Sequence, residues 1–195
     1  MNQITSLRET PAINVEILHC IKKITQLNVY PVHMRKVLEM IKKKLEQLGF
    51  SNLPNLKSIG KYKPYRISKE LIFISGQLPI QGDQLLSYKK ITSKTKINEV
   101  KKYIELATSN LLNVLDFAIV ENQFDINKVG CLNLKGYLNT DDSFTKHSTL
   151  FNFASELLIK VLGEKMGSHS RSVIGVNSLP LNSPVEIDAI FCVNY

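Results

Sequence analysis

The sequence has few of the residues that build metal centres and disulfide frameworks. Its three cysteines, Cys20, Cys131 and Cys192, are far apart, odd in number and without a CxxC pair. This pattern predicts buried free thiols in a reducing compartment, because disulfide frameworks and cysteine-ligated zinc sites need paired or closely spaced cysteines. We therefore expect neither a disulfide nor a metal site.

Long hydrophobic runs are also absent. No stretch of eighteen apolar residues occurs, so the sequence predicts no transmembrane helix. The first residues lack the basic start and the continuous apolar segment of a secretory signal peptide. With 195 residues, 44% of them hydrophobic, the chain suits one ordinary domain with an appendage. These features predict a cytoplasmic protein.

Acidic residues are scarce in the first third of the chain. Residues 1–66 hold twelve Lys/Arg and four Asp/Glu, whereas residues 67–195 hold thirteen of each. The formal net charge of +8 therefore belongs to the first third alone. A neutral body argues against a broad nucleic-acid-binding face on the main fold, although it leaves a basic arm open.

The charge distribution and the helical patterns divide the chain into two parts. We predict that residues 1–45 form a basic helical N-terminal extension and that residues 46–195 form the main domain. The extension is interpreted either as helices with solvated basic faces or as an organelle-targeting segment, since targeting peptides are amphipathic and basic. Glu9 and Glu16 disfavour targeting, because such peptides contain few acidic residues.

Two helices are predicted before residue 50. Apolar residues at three- and four-residue steps indicate a short amphipathic helix over residues 15–29, which Pro31 would end. A second helix is expected over about residues 33–48, with Gly49 suited to the position after its end. The basic run 42–44 lies on the polar side of this helix and is interpreted as a solvated face.

The body begins with predicted strands. The short apolar run over residues 71–74 favours a strand that is buried on both faces. A second strand is predicted over residues 129–138, with Leu132, Leu134 and Leu138 on one face.

Two longer helices are interleaved with these strands. The clearest helical stripe covers about residues 95–121, and a second covers about residues 148–162 with Gly163 as its cap. Two closing strands follow. This order predicts an α+β fold in which two helices pack on one face of a mixed β-sheet.

Strict alternation marks the last strand. Val185, Ile187, Ala189, Phe191 and Val193 would point to the helices, and Glu186, Asp188, Ile190 and Cys192 would point away from them. Two helices cannot cover both faces of a sheet. We therefore expect another subunit to cover the second face.

A cation and an acid stand fifteen positions apart in the two closing strands. Arg171 opens one predicted strand and Glu186 lies inside the next. Because both residues would lie on one sheet, the pair predicts a small-molecule site. Composition alone does not identify the ligand.

The motifs of the body occur in a definite order. They are Ser75-Gly76-Gln77-Leu78-Pro79, then Ser170-Arg171-Ser172, then Leu179-Pro180, then Val185-Glu186-Ile187-Asp188-Ala189-Ile190. This ordered set resembles the RidA/YjgF family of reactive-intermediate imine deaminases, which are also labelled endoribonuclease L-PSP-like.

Further stretches resemble a longer subgroup of that family, and together the resemblance covers roughly residues 45–195. They are Leu45-Glu46-Gln47-Leu48-Gly49-Phe50-Ser51-Asn52-Leu53-Pro54, Asn152-Phe153-Ala154-Ser155-Glu156-Leu157-Leu158, Gly163-Glu164 and His169-Ser170-Arg171-Ser172-Val173-Ile174-Gly175-Val176.

The resemblance implies a chorismate-mutase-like fold and a homotrimer with three sites in the clefts between subunits. It implies that Arg171 binds a substrate carboxylate and that Glu186 holds or activates the attacking water. These residue types suit the chemistry, because a guanidinium is a permanently charged bidentate donor and a carboxylate can take a proton from water.

The same resemblance implies further site residues. Tyr62 matches a family tyrosine thirteen residues before Ser75, and Asn152 matches an asparagine at the start of the second long helix. Ser75 and Gly76 belong to a turn expected to bring backbone amides near the pocket. His169 is interpreted as structural or solvent-facing.

The implied activity is hydrolysis of 2-iminobutanoate- or 2-iminopropanoate-like imines to 2-oxo acids and ammonia, without a metal or an organic cofactor. Two alternatives stay open. One is a non-catalytic, small-molecule-binding regulatory trimer, and the other is the endoribonuclease or translation inhibitor of the older family label. The sequence contains no His pair or His-Lys cluster suited to RNA cleavage.

The chain departs from the family pattern at several positions, and two of these departures bear on the expected cleft. Gly175 stands four residues after Arg171, where deaminases often have a glutamate, and Phe153 stands where the subgroup has a glycine. A phenylalanine at that position is expected to narrow or reshape the cleft.

Overall fold

The computed structural model describes residues 40–54 and 61–195, which form an α+β fold. The predicted helix over residues 15–29 lies outside the described residues. The helices are α1 (Met40–Gln47), α2 (Ile97–Asn122), α3 (His147–Leu162) and the single turn α4 (Glu164–Gly167). The strands are β1 (Tyr65–Ser68), β2 (Leu71–Gln77), β3 (Ile80–Gln81), β4 (Gln84–Leu85), β5 (Val129–Asn139), β6 (Ser170–Val176) and β7 (Val185–Val193).

The main sheet has the strand order β1-β2-β7-β5-β6. Strands β5 and β6 run parallel, whereas the other neighbouring pairs are antiparallel. Strands β3 and β4 form a separate two-stranded hairpin. The prediction of a mixed sheet is therefore confirmed. The two closing strands β6 and β7 are consecutive in sequence but are not neighbours, because β5 lies between them.

Helices α2 and α3 cover one face of this sheet, as their apolar stripes predict. Most of the apolar side of α2 is buried, and α3 buries six residues from Leu150 to Val161. Helix α2 is long and apolar enough to span a membrane by length and composition, but most of its apolar window is buried inside the fold. Gly163 ends α3 with a φ of 87°, which confirms its predicted capping role.

The alternation of β7 follows the predicted pattern. Val185, Ile187, Ala189, Phe191 and Val193 are all buried against the helices. Full burial of a side chain such as Phe191 contributes about 1.5–3 kcal/mol to stability. The intervening residues are half-buried on the other face, which we call the open face. Among the residues that the structure describes, no helix packs on the open face.

Two details of the predicted strands were wrong. Strand β2 is buried on one face only, since Ile72 and Ile74 are buried while Phe73 is exposed. Leu132 also lies away from the core, in contrast to Leu134. The pairing of β5 with β7 is irregular between residues 131 and 133, and a β-bulge there reverses the facing of the side chains.

Helix α1 belongs to the folded body. Ile41 and Leu45 are buried in the main core. The predicted domain boundary at residues 45/46 therefore falls inside a helix, and the division into two domains stays a prediction. Lys44 is not on a solvated face, because its Nζ donates a hydrogen bond to the Val161 carbonyl oxygen at 2.6 Å. Gly49 follows the helix with a φ of 89°.

The two cysteines within the described residues are free. Cys131 is buried, and that burial raises the pKa of its thiol to about 12, so it is an inert core residue. Cys192 is half-buried on the open face. Cys20 lies outside the described residues.

Candidate functional site

Arg171 lies near the start of the edge strand β6 and points to the helix side of the sheet. Its cross-strand partner is the core residue Leu134. Helix α3 holds the guanidinium at two points. The Nη1 group donates to Ser155 Oγ at 2.9 Å, and the Nη2 group donates to Ser148 at its carbonyl oxygen (3.1 Å) and its Oγ (3.2 Å). The guanidinium also lies 5.9 Å from the centre of the Phe151 ring.

Asn152 is exposed on the same helix. It is the sixth residue of α3, so the view of it as a helix-start residue was wrong. Helical spacing places it between Ser148 and Ser155 on one side of the helix. The structure therefore brings Asn152 to the same surface as Arg171.

Glu186 lies on the open face of β7, directly over Gly76 of β2. A Cβ added at Gly76 would overlap Glu186 Oε1 and lie 2.7 Å from its carboxyl carbon. Only glycine leaves room for the carboxylate there. Burial raises the pKa of the Glu186 carboxyl, and the nearby charge of Asp188 raises it further.

The Ser75-Gly76-Gln77 segment is a β-bulge at the end of β2, not the predicted turn. Ile74 pairs with Ala189 and Gln77 pairs with Ile187, so three steps on β2 face two on β7. Such bulges re-aim side chains at the ends of strands. The bulge sets Gly76 against Glu186.

Ser75 ties the bulge to the segment that contains Tyr62. Its Oγ donates to the Lys63 carbonyl oxygen at 2.7 Å, and its backbone N–H donates to the Pro64 carbonyl oxygen at 3.0 Å. Tyr62 immediately precedes Lys63 and its side chain is exposed. Ser75, Gly76, Tyr62 and Glu186 therefore belong to one region of the protomer.

A second polar group on the open face was missed by sequence reasoning. Tyr137 Oη donates to Asp188 Oδ2 at 2.9 Å, and Lys135 Nζ lies 3.4 Å from Asp188 Oδ1. Burial, followed by the bond to Asp188, raises the pKa of Tyr137 to about 12. Because Lys135 and Tyr137 alternate with the buried leucines of β5, the same period-two pattern could have revealed them.

Arg171 and Glu186 do not meet within one protomer. Arg171 shares a face with Leu134, whereas Glu186 pairs with Tyr137 on the opposite face. The two residues are also two strand spacings and three residues of rise apart, or roughly 14 Å between Cα atoms. The two residues lie on one sheet, as predicted, but they are not near each other within one chain, and the predicted site in a cleft between subunits stays a prediction.

The two departures from the family pattern have distinct surroundings. A Cβ added at Gly175 would lie 2.5 Å from His147 Nε2 and 2.8 Å from Thr140 Oγ1, so the His147 ring occupies the space of a side chain at residue 175. Phe153 faces α2, where Lys101 Nζ lies 5.4 Å from its ring centre. Within the protomer, Phe153 therefore does not border the Arg171 surface.

Metal ligands are not gathered anywhere in the part of the chain that the structure describes. Residues 40–54 and 61–195 contain no group of three or more His, Cys, Asp or Glu side chains arranged to hold an ion. The candidate site consists instead of a guanidinium and a carboxylate, each with hydroxyl-bearing neighbours.

The fold and these motifs define a member of a known family. Residues 44–192 match the sequence profile of the family described as "YjgF/chorismate_mutase-like, putative endoribonuclease". The chain belongs to this family, and the predicted RidA/YjgF relationship and chorismate-mutase-like fold are confirmed.

Individual relatives span most of the chain. Protein TCP17 of Trypanosoma cruzi is 26% identical over 151 residues, which cover 77% of this chain and 92% of TCP17. The Agrobacterium tumefaciens protein Atu1372 has a similar structure, with a TM-score of 0.70 and 29% identity over 84% of this chain and 99% of that one. A Shewanella oneidensis protein described as a "putative endoribonuclease" has a TM-score of 0.69 and 26% identity over 79% and 99% of the two chains.

Proposed function

We propose that this chain forms a homotrimer that hydrolyses small 2-imino acids, such as 2-iminobutanoate and 2-iminopropanoate, to 2-oxo acids and ammonia. Each site would take Arg171 from one subunit and Glu186 from its neighbour. The observation that carries the proposal is the placement of these two residues on opposite faces of the sheet. Neither residue alone can bind and activate a small substrate.

The open face supports assembly. Phe73, Leu132 and Ile174 expose large apolar side chains on it, beside the half-buried Glu186 and Asp188. Several large apolar side chains exposed on one face of a sheet, interspersed with polar groups, suit burial by another chain. A second subunit on this face would bury the apolar side chains and bring its own groups to the carboxylate.

The two groups suit imine hydrolysis. Arg171 is fixed from the helix side, and the N–H groups that Ser148 and Ser155 do not use can donate to a substrate carboxylate. Glu186 takes a proton from water as the water oxygen attacks the C=N carbon, and it passes this proton to the nitrogen. It then carries the remaining hydroxyl proton to the nitrogen as the C–N bond breaks. Collapse of the resulting carbinolamine forms C=O and releases ammonia. The raised pKa of Glu186 makes the carboxylate a better proton acceptor in this step.

The test is ammonia release from 2-imino acids generated in situ. Arg171→Ala and Glu186→Gln should each lose nearly all activity while remaining trimeric. A 1:1 mixture of the two variants, unfolded and refolded together, should recover about one quarter of wild-type activity, because one interface in four then carries both intact residues.

Failure to recover activity in verified mixed trimers would show that both residues act within the same chain. Full turnover by the trimeric Arg171→Ala variant would refute the proposed role of Arg171. Refolding each variant alone is the matched control, since neither can form an intact site.

One observation favours a second candidate, the non-catalytic binding trimer. The His147 ring fills the space beside Gly175 on the strand that carries Arg171. A histidine ring in this space differs from the glutamate side chain that the deaminase resemblance implies at residue 175. Calorimetric binding of 2-oxobutanoate that requires Arg171, with no ammonia release from imines, would favour this candidate.

A further inference from the structure

We propose that His169 is a positioning residue that fixes the guanidinium of Arg171 through the hydroxyl group of Ser155. The inference rests on the proposed carboxylate-binding function of Arg171. It gives His169 a more specific role than the sequence-based interpretation of a structural or solvent-facing residue, because the imidazole takes part in a directed hydrogen-bond chain.

The hydrogen-bond chain from Arg171 to Gly167 has three links. Arg171 Nη1 lies 2.9 Å from Ser155 Oγ, Ser155 Oγ lies 3.0 Å from His169 Nε2, and His169 Nδ1 lies 2.6 Å from the Gly167 carbonyl oxygen. All three side chains are half-buried. The chain therefore joins β6 to α3 and to the turn α4.

For a neutral His169, the chemistry of the two ends of this hydrogen-bond chain fixes the direction of every bond. A guanidinium only donates, so Ser155 Oγ accepts from Arg171 and its own hydrogen is free. A carbonyl oxygen only accepts, so His169 Nδ1 carries a proton and donates to Gly167. Nε2 of the neutral imidazole is then the acceptor for the hydroxyl hydrogen of Ser155. No alternative tautomer of a neutral His169 satisfies both ends.

The backbone around Gly167 makes this geometry possible. A Cβ at Gly167 would lie 2.6 Å from the Cα of Ile159 and 3.0 Å from its backbone nitrogen. Glycine therefore lets α4 pack directly on the backbone of α3. This close packing holds the Gly167 carbonyl oxygen at the distance that His169 Nδ1 needs.

This hydrogen-bond chain fixes the orientation of the Arg171 guanidinium. Ser148 holds Nη2, and the His169–Ser155 pair holds Nη1, so both terminal nitrogens are tied to α3. Without an acceptor at Nε2, the Ser155 hydroxyl could rotate and offer a poorer lone pair to Arg171. An arginine side chain that must be ordered by its ligand binds more weakly, because binding then includes the loss of rotamer entropy.

A double-mutant cycle tests the proposal in the full-length protein. Binding of 2-oxobutanoate would be measured by calorimetry for wild type, Ser155→Ala, His169→Leu and the double variant. We expect each single change to raise Kd about fivefold. The double variant should bind no more weakly than either single variant, because both changes break the same chain.

A conservative substitution separates positioning from packing. His169→Gln places an amide oxygen near the position of Nε2, where it can accept from Ser155, so its Kd should stay within about twofold of wild type. His169→Leu keeps an apolar side chain but offers no acceptor. Additive effects in the double variant, or equal losses in the Gln and Leu variants, would overturn the proposal.

A second readout does not depend on ligand binding. The ¹⁵N spectrum of His169, assigned with the Gln variant, should show the Nδ1–H tautomer, and Ser155→Ala should shift the Nε2 resonance. An Nε2–H tautomer of His169, or an Nε2 resonance that Ser155→Ala leaves unchanged, would refute the proposed hydrogen-bond chain. If wild type binds no 2-oxobutanoate while this spectrum is as expected, the proposed function fails and the positioning inference survives.

Discussion

Replacing Gly76 with alanine should displace the Glu186 carboxylate and leave the fold intact. The new Cβ would lie 2.7 Å from the carboxyl carbon of Glu186 and 3.0 Å from its Cγ. Because carbon atoms in contact are about 3.5 Å apart, the carboxyl carbon must retreat by about 1 Å. The obstacle is the end of a flexible side chain, and the φ of Gly76 lies outside the left-handed region, so alanine fits the backbone.

The expected effects on activity and stability differ strongly. A displacement of about 1 Å in a catalytic group lowers kcat/KM about 100-fold. A side chain driven off its rotamer costs about 0.5–1.5 kcal/mol, which lowers Tm by only a few degrees in a chain of this size. The measurements are ammonia release, thermal unfolding and the oligomeric state of Gly76→Ala.

Gly130→Ala is the matched control. A Cβ there would also strike a flexible side chain, the exposed ring of Tyr195, at the other end of β5 from the residue that pairs with Glu186. It should change Tm by a similar amount without the loss of activity. A Gly76→Ala variant that keeps activity within twofold of wild type, while Glu186→Gln is inactive, would refute the argument that the carboxylate must lie over Gly76.

Three further predictions concern ionisable groups. Because burial and the charge of Asp188 raise the pKa of Glu186, kcat/KM should fall on the acid side with a midpoint above the ordinary carboxyl value of 4.5, and Glu186→Gln should show no such limb. Burial raises the pKa of Asp116 to about 6, so the folded state loses stability as pH rises from about 4 through 6. Asp116→Asn should therefore be more stable than wild type by about 1–3 kcal/mol at pH 7 in urea unfolding, and the difference should vanish near pH 4. Lys44→Met should lower the free energy of unfolding by about 1–2 kcal/mol, since it removes the ammonium donor from the Val161 carbonyl oxygen, and equal urea midpoints would contradict this.

The elements whose environment repeats along the chain were predictable from sequence. Helices α2 and α3 each bury one continuous stripe, and β7 alternates without interruption between a buried and an open face. In these elements the side-chain period alone fixes which residues enter the core. The fold class was predictable from them, because two long amphipathic helices can bury their apolar stripes against the apolar face of an alternating sheet.

The prediction of which strand side chains face the core failed at the two β-bulges, where the two-residue alternation is interrupted. Leu132 and Leu134 have the same parity, yet only Leu134 is buried, because the bulge after Cys131 adds one residue to β5. A second bulge places Gly76 under Glu186. Gly76 is a local signal for the second bulge, because a glycine inside a strand pattern often marks a bulge or a close approach of the backbone. The residue that the bulge sets against Gly76 depends on the register of the partner strand β7 and could not be read from the local sequence.

The site could be predicted as a set of residues but not as an arrangement. Motif spacing fixes how far apart Arg171 and Glu186 lie in sequence, but their mutual geometry depends on the insertion of β5 between β6 and β7. That insertion pairs Arg171 with Leu134 on the helix side and Glu186 with Tyr137 on the open face. A strand order in which β6 and β7 were neighbours could have formed a site within one protomer. The observed order separates the cation from the acid by the thickness of the sheet, and this separation is why the proposed reaction takes Glu186 from a second copy of the chain.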